Sequence, residues 1–194
     1  PVRDPPAEAE EVLADLRDHG IPTYAVTAGD SLVWGDARQV RAEVVWPPAD
    51  RAAAGSLGPN DASVVLDLRV DGSEPASGED GVRILFTGDI EPLAARGVRA
   101  ALEGERFDVL KVAHHGSAAQ DEALVTGVSA DVALIGVGED NTFGHPSRTV
   151  LSMLAQTGTV VLRTDRDGTY AVVLGEGLGV VRRGRRCPPA RARR

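Results

Sequence analysis

Cysteine, lysine and aromatic residues are almost missing from this 194-residue chain. Cys187 is the single cysteine, which excludes an internal disulfide and a thiolate metal cluster, so any metal would be held by His, Asp and water. Lys111 is the single lysine among 21 basic residues, a skew toward Arg that reads as genome bias rather than chemistry. Phe, Trp and Tyr together make up 4%. The longest apolar runs are strand-length, far short of the roughly 20 residues a membrane helix needs. The first residues lack a charged-then-apolar leader, so no signal peptide is expected. There is no nucleophile elbow, no Walker loop and no glycine-rich dinucleotide fingerprint, which argues against the serine-hydrolase, P-loop and Rossmann chemistries.

What is present is 42% hydrophobic residues, enough for the core of one domain, and a formal net charge of −8. The charge is uneven. Residues 182–194 carry seven Arg and no acid, leaving the preceding body at about −15 by subtraction. An acidic body argues against broad, charge-driven nucleic-acid binding. It does not exclude a phosphodiester substrate, because bound cations reverse the local field.

Along the chain, Pro5 to His19 predicts a surface helix with acids in its N-terminal half, closed by Gly20 and Pro22. From Ile21 the period becomes two: Thr23–Val26, Leu32–Trp34 and Val40–Trp46 read as antiparallel strands. Asp50–Asn60 reads as a loop and Ala62–Val70 as a half-buried strand. Asp71–Gly81 reads as a mobile polar hairpin connection. Strand and helix then alternate. The strands are Val82–Phe86, Val109–Ala113 and Val132–Val137, and the helices lie near Leu93–Glu103, Asp121–Gly127 and Ser147–Gln156. Thr159–Arg163 and Tyr170–Leu174 are expected to pair around a tight turn at Asp165–Gly168. Strands first and βαβα second imply two sheet layers with helices outside. One domain is expected over residues 1–178, followed by a basic disordered tail over 179–194.

Three successive strand ends carry residues suited to metal chemistry. Asp89, in Thr87-Gly88-Asp89, has two carboxylate oxygens and so can bridge two cations; its alternative is to cap the next helix. Glu91 reads as a first-turn acid answering the helix dipole. His114 and His115 end the next strand. Alternation along a strand would aim only one of them into a shared site, leaving the other to support it or to move protons. His145 follows in the long polar loop Glu139–Pro146. Nitrogen and oxygen donors without thiolate suit Zn²⁺ or Mn²⁺. Asn60-Asp61-Ala62-Ser63 reads as a turn or as a polar patch on the same sheet edge. A Ser117/His115 pair is set aside, because sequence neighbours seldom form a catalytic pair.

Taken in order, Asn60-Asp61-Ala62-Ser63-Val64-Val65-Leu66, Phe86-Thr87-Gly88-Asp89-Ile90-Glu91, Leu110-Lys111-Val112-Ala113-His114-His115-Gly116-Ser117 and Phe143-Gly144-His145-Pro146 resemble the metallo-β-lactamase-like domain of ComEC-type competence proteins. The Arg163-Thr164-Asp165…Asp167-Gly168 close is similar too, and the resemblance covers roughly residues 5 to 175. It implies an α/β (α+β) fold, an αββα sandwich with a two-metal hydrolytic site on one sheet edge. Asp89 would be the bridging ligand, with His114 or His115 and His145 as further catalytic and metal residues. It also implies single-stranded DNA, the strand not imported, as substrate, and a membrane channel within the same protein as partner. The domain would then face the outside of the cell membrane, or lie in the cytoplasm if the chain stands alone.

One departure is large. The family carries a His-x-[His/Asp]-x-Asp-His motif in its first half, and no such segment occurs here; His19 is the only histidine before His114. The expectation is a partial sandwich with an exposed edge or face. The chain is then either a fragment beginning after the first half of the domain or a natural protein that has lost half its metal shell. Either way weak metal binding is expected. A different metallo-hydrolase, acting on a lactone, thioester or small phosphodiester, and a degenerate binding module of a DNA-uptake channel are the rival readings.

Overall fold

The computed structural model describes residues 6–35, 39–71, 81–174, 178–182 and 185–186. The fold is mixed α/β. Helix α1 (Pro6–Asp18) precedes β1 (Ser31–Trp34), β2 (Val40–Trp46), α2 (Ala49–Ala54), β3 (Val65–Val70) and β4 (Val82–Phe86). Then come α3 (Pro92–Leu102), β5 (Val109–Lys111), α4 (Glu122–Gly127), β6 (Val132–Ile135), α5 (Arg148–Gln156) and β7 (Val160–Arg163). The helical turn α6 (Thr164–Asp167) leads to β8 (Tyr170–Leu174), β9 (Leu178–Arg182) and β10 (Arg185–Arg186).

Strands β1 to β7 form one sheet in chain order, antiparallel from β1 to β4 and parallel from β4 to β7. A smaller sheet, β10-β9-β8, makes a second layer. Alternation sorts the side chains of the large sheet to two faces. Leu85, Leu110, Ala133 and Ile135 point to the helices, where they pack with Ala94, Val98, Val150 and Leu154 around buried Phe107. Val82, Val109, Val132 and Leu162 point the other way, onto Val180, Tyr170, Val172 and Leu178 of the small sheet.

That second face is covered unevenly. The small sheet lies over β4 to β7. Towards the antiparallel end, Leu32, Trp34, Val64 and Phe86 remain between 37% and 49% exposed. Leu32 and Trp34 pair with Ala42 and Val40, and Phe86 pairs with Leu66, which places these three on one side of the sheet, although Ala42 and Val44 on that side are buried.

Four local expectations are corrected. Thr23–Val26 is not a strand: Tyr24 is 76% exposed, and without a neighbour to pair with an extended segment gains no ladder. Within the expected loop Asp50–Asn60, Ala49–Ala54 is helical, because its alanines favour helix, and Gly55 at φ 59° closes it. β7 and β8 do not pair. Asp165 and Asp167 bind back onto Arg163, whose N–H donates to the Asp167 carboxylate at 2.7 Å, so α6 forms and the chain crosses to the other layer. Finally, Leu178–Arg182 is a strand paired with β8, and Val180 is buried, where a disordered tail from 179 was expected. Its alternating Leu178 and Val180 are the signal that the glycines around them obscured. Residues 187–194 and 72–80, the latter most of the expected mobile connection, lie outside the described residues.

Candidate functional site

The carboxyl ends of parallel strands share one edge of a sheet, and β4, β5 and β6 end there at Phe86, Lys111 and Ile135. Because β3 runs antiparallel to β4, the segment leading into β3 meets the same edge. Asp89, His114, His115, His145 and the Asn60–Ser63 turn are thus brought together.

The acidic loop is tied down on both sides. Buried Thr87 donates its hydroxyl to the Lys111 carbonyl at 2.6 Å. Gly88 has φ 55°, and a Cβ there would fall 2.6 Å from that of Ser63, so this turn requires glycine. Asp89 N–H donates to Ser63 Oγ at 3.0 Å, and Glu91 N–H donates to Asp61 Oδ1 at 2.9 Å. Asn60 Nδ2 donates to Glu91 Oε1 at 3.0 Å, while Trp46 Nε1 donates to the Asp61 carbonyl at 2.6 Å. The Asn60–Ser63 turn therefore does more than reverse the chain: it holds Asp89 and Glu91. Asp89 does not cap α3. Glu91 occupies the N-cap position, without a side-chain cap bond.

The paired histidines are not the last residues of a strand. Ala113–Gly116 is a tight turn in which His114 (φ 46°) and His115 (φ 53°) are both left-handed. Such a conformation costs about 1–3 kcal/mol per non-glycine residue. The opposite-face rule therefore fails here, and both rings face acids of the same loop. His115 Nε2 lies 3.7 Å from Asp89 Oδ2, and His114 Nδ1 lies 3.8 Å from Glu91 Oε1. The turn is pinned by His114 N–H to the Gly88 carbonyl at 3.2 Å and by Ser147 N–H to the Gly116 carbonyl at 2.8 Å. At Gly116 (φ 80°) a Cβ would fall 2.6 Å from Pro146 Cβ, locking the histidine turn against the Gly144-His145-Pro146 loop. The His145 ring stands 5.6 Å from that of His114. Partial burial, reinforced by the charges His114 and His115 can carry, lowers the His145 pKa below 6.5.

The histidines and acids meet one to one. His115 Nδ1 faces the Gly136 carbonyl at 2.6 Å, a contact that only its N–H form satisfies, which orients the ring so that Nε2 faces the Asp89 carboxylate. His114 Nδ1 is buried without a hydrogen-bond partner beside Glu91. A proton or a cation can bridge each of these nitrogen–carboxylate contacts. These are pairs, however: among the described residues no group of three or more His, Cys, Asp or Glu is arranged to hold a metal ion.

Two residues of the cluster were passed over in the sequence. Lys111 Nζ donates to the Gly88 carbonyl at 3.0 Å and lies 3.5 Å from Asp89 Oδ1, so the single lysine supplies the positive charge nearest that carboxylate. Its signal was available, as a charged side chain ending an apolar buried strand just before the histidines. Glu91 faces His114 through a backbone conformation that spacing does not disclose. Ser117 Oγ accepts from Ala119 N–H at 3.2 Å.

A second polar cluster lies on the helix side of the sheet. Arg83 binds buried Asp67 at 2.7 Å, reaches Glu105 and stacks its guanidinium over Phe107 at 4.4 Å. These residues line a cleft of about 260 Å³ with Glu43 and Arg69.

Among the described residues no helix is long and apolar enough to cross a membrane. No family model matches the chain, and no solved structure matches it. Over 161 residues, 82% of its own length, the chain is 30% identical to ComE operon protein 3 of Bacillus subtilis (strain 168), and it spans 19% of that protein.

Proposed function

We propose that this chain is the hydrolytic part of a competence protein, acting in DNA uptake by metal-dependent cleavage of single-stranded DNA phosphodiester bonds. The observation that carries the reading is His115 Nε2 aimed at Asp89, with His114, His145 and Glu91 gathered on the same sheet edge. Similarity to ComE operon protein 3 and the residues shared with ComEC-type proteins support the uptake role. By the same resemblance, a membrane channel would be its partner, and its place would be the outer side of the cell membrane.

Asp89, His114, His115 and His145 would hold Zn²⁺ or Mn²⁺. Bound divalent ions supply Lewis-acid stabilisation of phosphate and an acidified water. The chain's own contribution is placement. Ser63 and Asp61 fix the acidic loop by its backbone, the Gly136 carbonyl fixes the His115 tautomer, and Lys111 holds positive charge beside Asp89.

The test is cleavage of labelled single-stranded DNA with Mn²⁺ or Zn²⁺, by this chain and by a longer form in which a His/Asp-rich segment precedes residue 1. The longer form is expected to cleave, and Asp89→Ala to reduce its rate at least about 100-fold. No metal-dependent cleavage by either form defeats the nuclease reading. Small esters and lactones in the same assay separate it from other metallo-hydrolases.

A second reading, a non-catalytic module of a DNA-uptake channel, draws on Lys111 already sitting beside Asp89 and on there being no three-donor group among the described residues. It requires no stoichiometric metal and normal DNA uptake with Asp89→Ala.

A further inference from the structure

We propose that Phe143 is a stacking platform for a nucleobase of the bound strand, next to the phosphate that the histidine cluster faces. This rests on the nucleic-acid reading above. Of the three phenylalanines, Phe107 is buried and Phe86 is 37% exposed, whereas Phe143 is 83% exposed. A single exposed apolar side chain needs no explanation by itself. Phe143 differs in how it is held. The Asn141 side chain bridges its own loop: Oδ1 accepts from Phe143 N–H at 2.7 Å and Nδ2 donates to the His145 carbonyl at 3.0 Å. The loop is thus braced on both sides of the ring without burying it. One face of the phenyl stacks on His145, with centroids 6.1 Å apart and planes 29° apart, and His145 in turn meets His114 at 5.6 Å. The stack runs from the histidine cluster outward and ends on an aromatic face open to solvent.

The charge balance favours the same conclusion. With a body near −15, phosphate contacts cannot supply broad affinity for a polyanion. Stacking on an aromatic face does not need net positive charge, and it tolerates any base because every base has a π-face. A protein that must handle strands of every sequence would use such a contact.

The experiment compares the affinity of this chain for a short oligothymidylate with that for an abasic deoxyribose-phosphate strand of equal length, by fluorescence anisotropy. Wild type is expected to prefer the base-bearing strand by roughly 10-fold. Phe143→Ala is expected to lose that preference while binding the abasic strand as before, and Phe143→Trp to keep or enlarge it. Because Phe143 is exposed, the melting temperatures of all three should agree, which separates lost stacking from a damaged fold. If wild type binds both strands equally, or if Phe143→Ala weakens both alike, the stacking role is overturned and the nuclease reading stands. If wild type binds neither strand, the stacking role is overturned too, and the nuclease reading is decided by the cleavage assay alone.

Discussion

The two halves of the large sheet are built from similar apolar residues but live in different surroundings. From β4 to β7 the strands are parallel and sandwiched, with helices on one face and the small sheet on the other; Val109, Val132 and Ile135 are fully buried. From β1 to β3 the strands are antiparallel, and Leu32 and Trp34 on one face are only half covered. Parallel strands need crossover helices, and these crossovers cover one face of the parallel half. In the antiparallel half Ala42, Val44, Trp46 and Val65 are buried, and the exposed apolar side chains Leu32, Val33 and Trp34 belong to its edge strand β1. The functional cluster draws on both: its acids and histidines come from the ends of the parallel strands, while Asn60, Asp61 and Ser63, at the entrance to an antiparallel strand, hold those acids in place. The better-packed half supplies the chemistry and the less-packed half aligns it.

The contrast breaks most readily in the parallel half. Phe107→Ala removes a ring that is 1% exposed beneath Arg83 and is expected to cost about 3–5 kcal/mol in urea denaturation. A loss below about 1 kcal/mol would mean that the helix-side core is looser than the geometry shows.

At the seam between the halves, Arg83→Met strips buried Asp67 of its main partner while Arg69 remains at 3.2 Å. Breaking a buried pair costs about 3–5 kcal/mol, and the surviving partner and partial exposure should bring this to about 2 kcal/mol. Asp67→Asn in the same background should recover part of it, since it removes the uncompensated charge.

On the edge strand, Leu32→Ser with Trp34→Ser should cost about 2 kcal/mol, roughly half of what full burial of the two side chains would give, because both are already half in water. The same pair should reduce binding of a hydrophobic dye and lower any self-association seen by sedimentation. A much larger destabilisation would show that the strand is packed in solution.

The smallest effect is electrostatic. His145 has its pKa lowered, chiefly by burial, so the folded state binds fewer protons than the unfolded one below the ordinary value of 6.5. Its contribution to stability is therefore present above pH 6.5 and is lost as pH falls through the lowered folded value. His145→Gln should flatten that slope, and the ring's NMR titration should have its midpoint below 6.5. A midpoint above 6.5 would reverse the sign.

The fold was legible where pattern and packing agree. Val82–Phe86, the helix after it and the later strands alternate apolar residues in the period their structure uses, and they were placed to within a residue or two. It was less legible at Thr23–Val26, which has strand composition but no partner, and at Leu178–Arg182, whose apolar alternation is hidden among glycines. For the site, residue types were readable but directions were not. The pairing of His115 with Asp89 and of His114 with Glu91 depends on two consecutive left-handed residues, a conformation no period announces.

The sequence by itself determined that acids and histidines stand after successive strands, that no disulfide or thiolate cluster can form within the chain, and that the body is acidic, because these follow from residue type and order. Only the tertiary structure decided which of them meet. It aimed Lys111 at the Asp89 loop, turned the Asn60–Ser63 segment into a brace, left Phe143 uncovered beside His145, and covered one half of a sheet face but not the other. Those outcomes depend on long-range packing and on backbone torsions set by it, neither of which local propensity encodes.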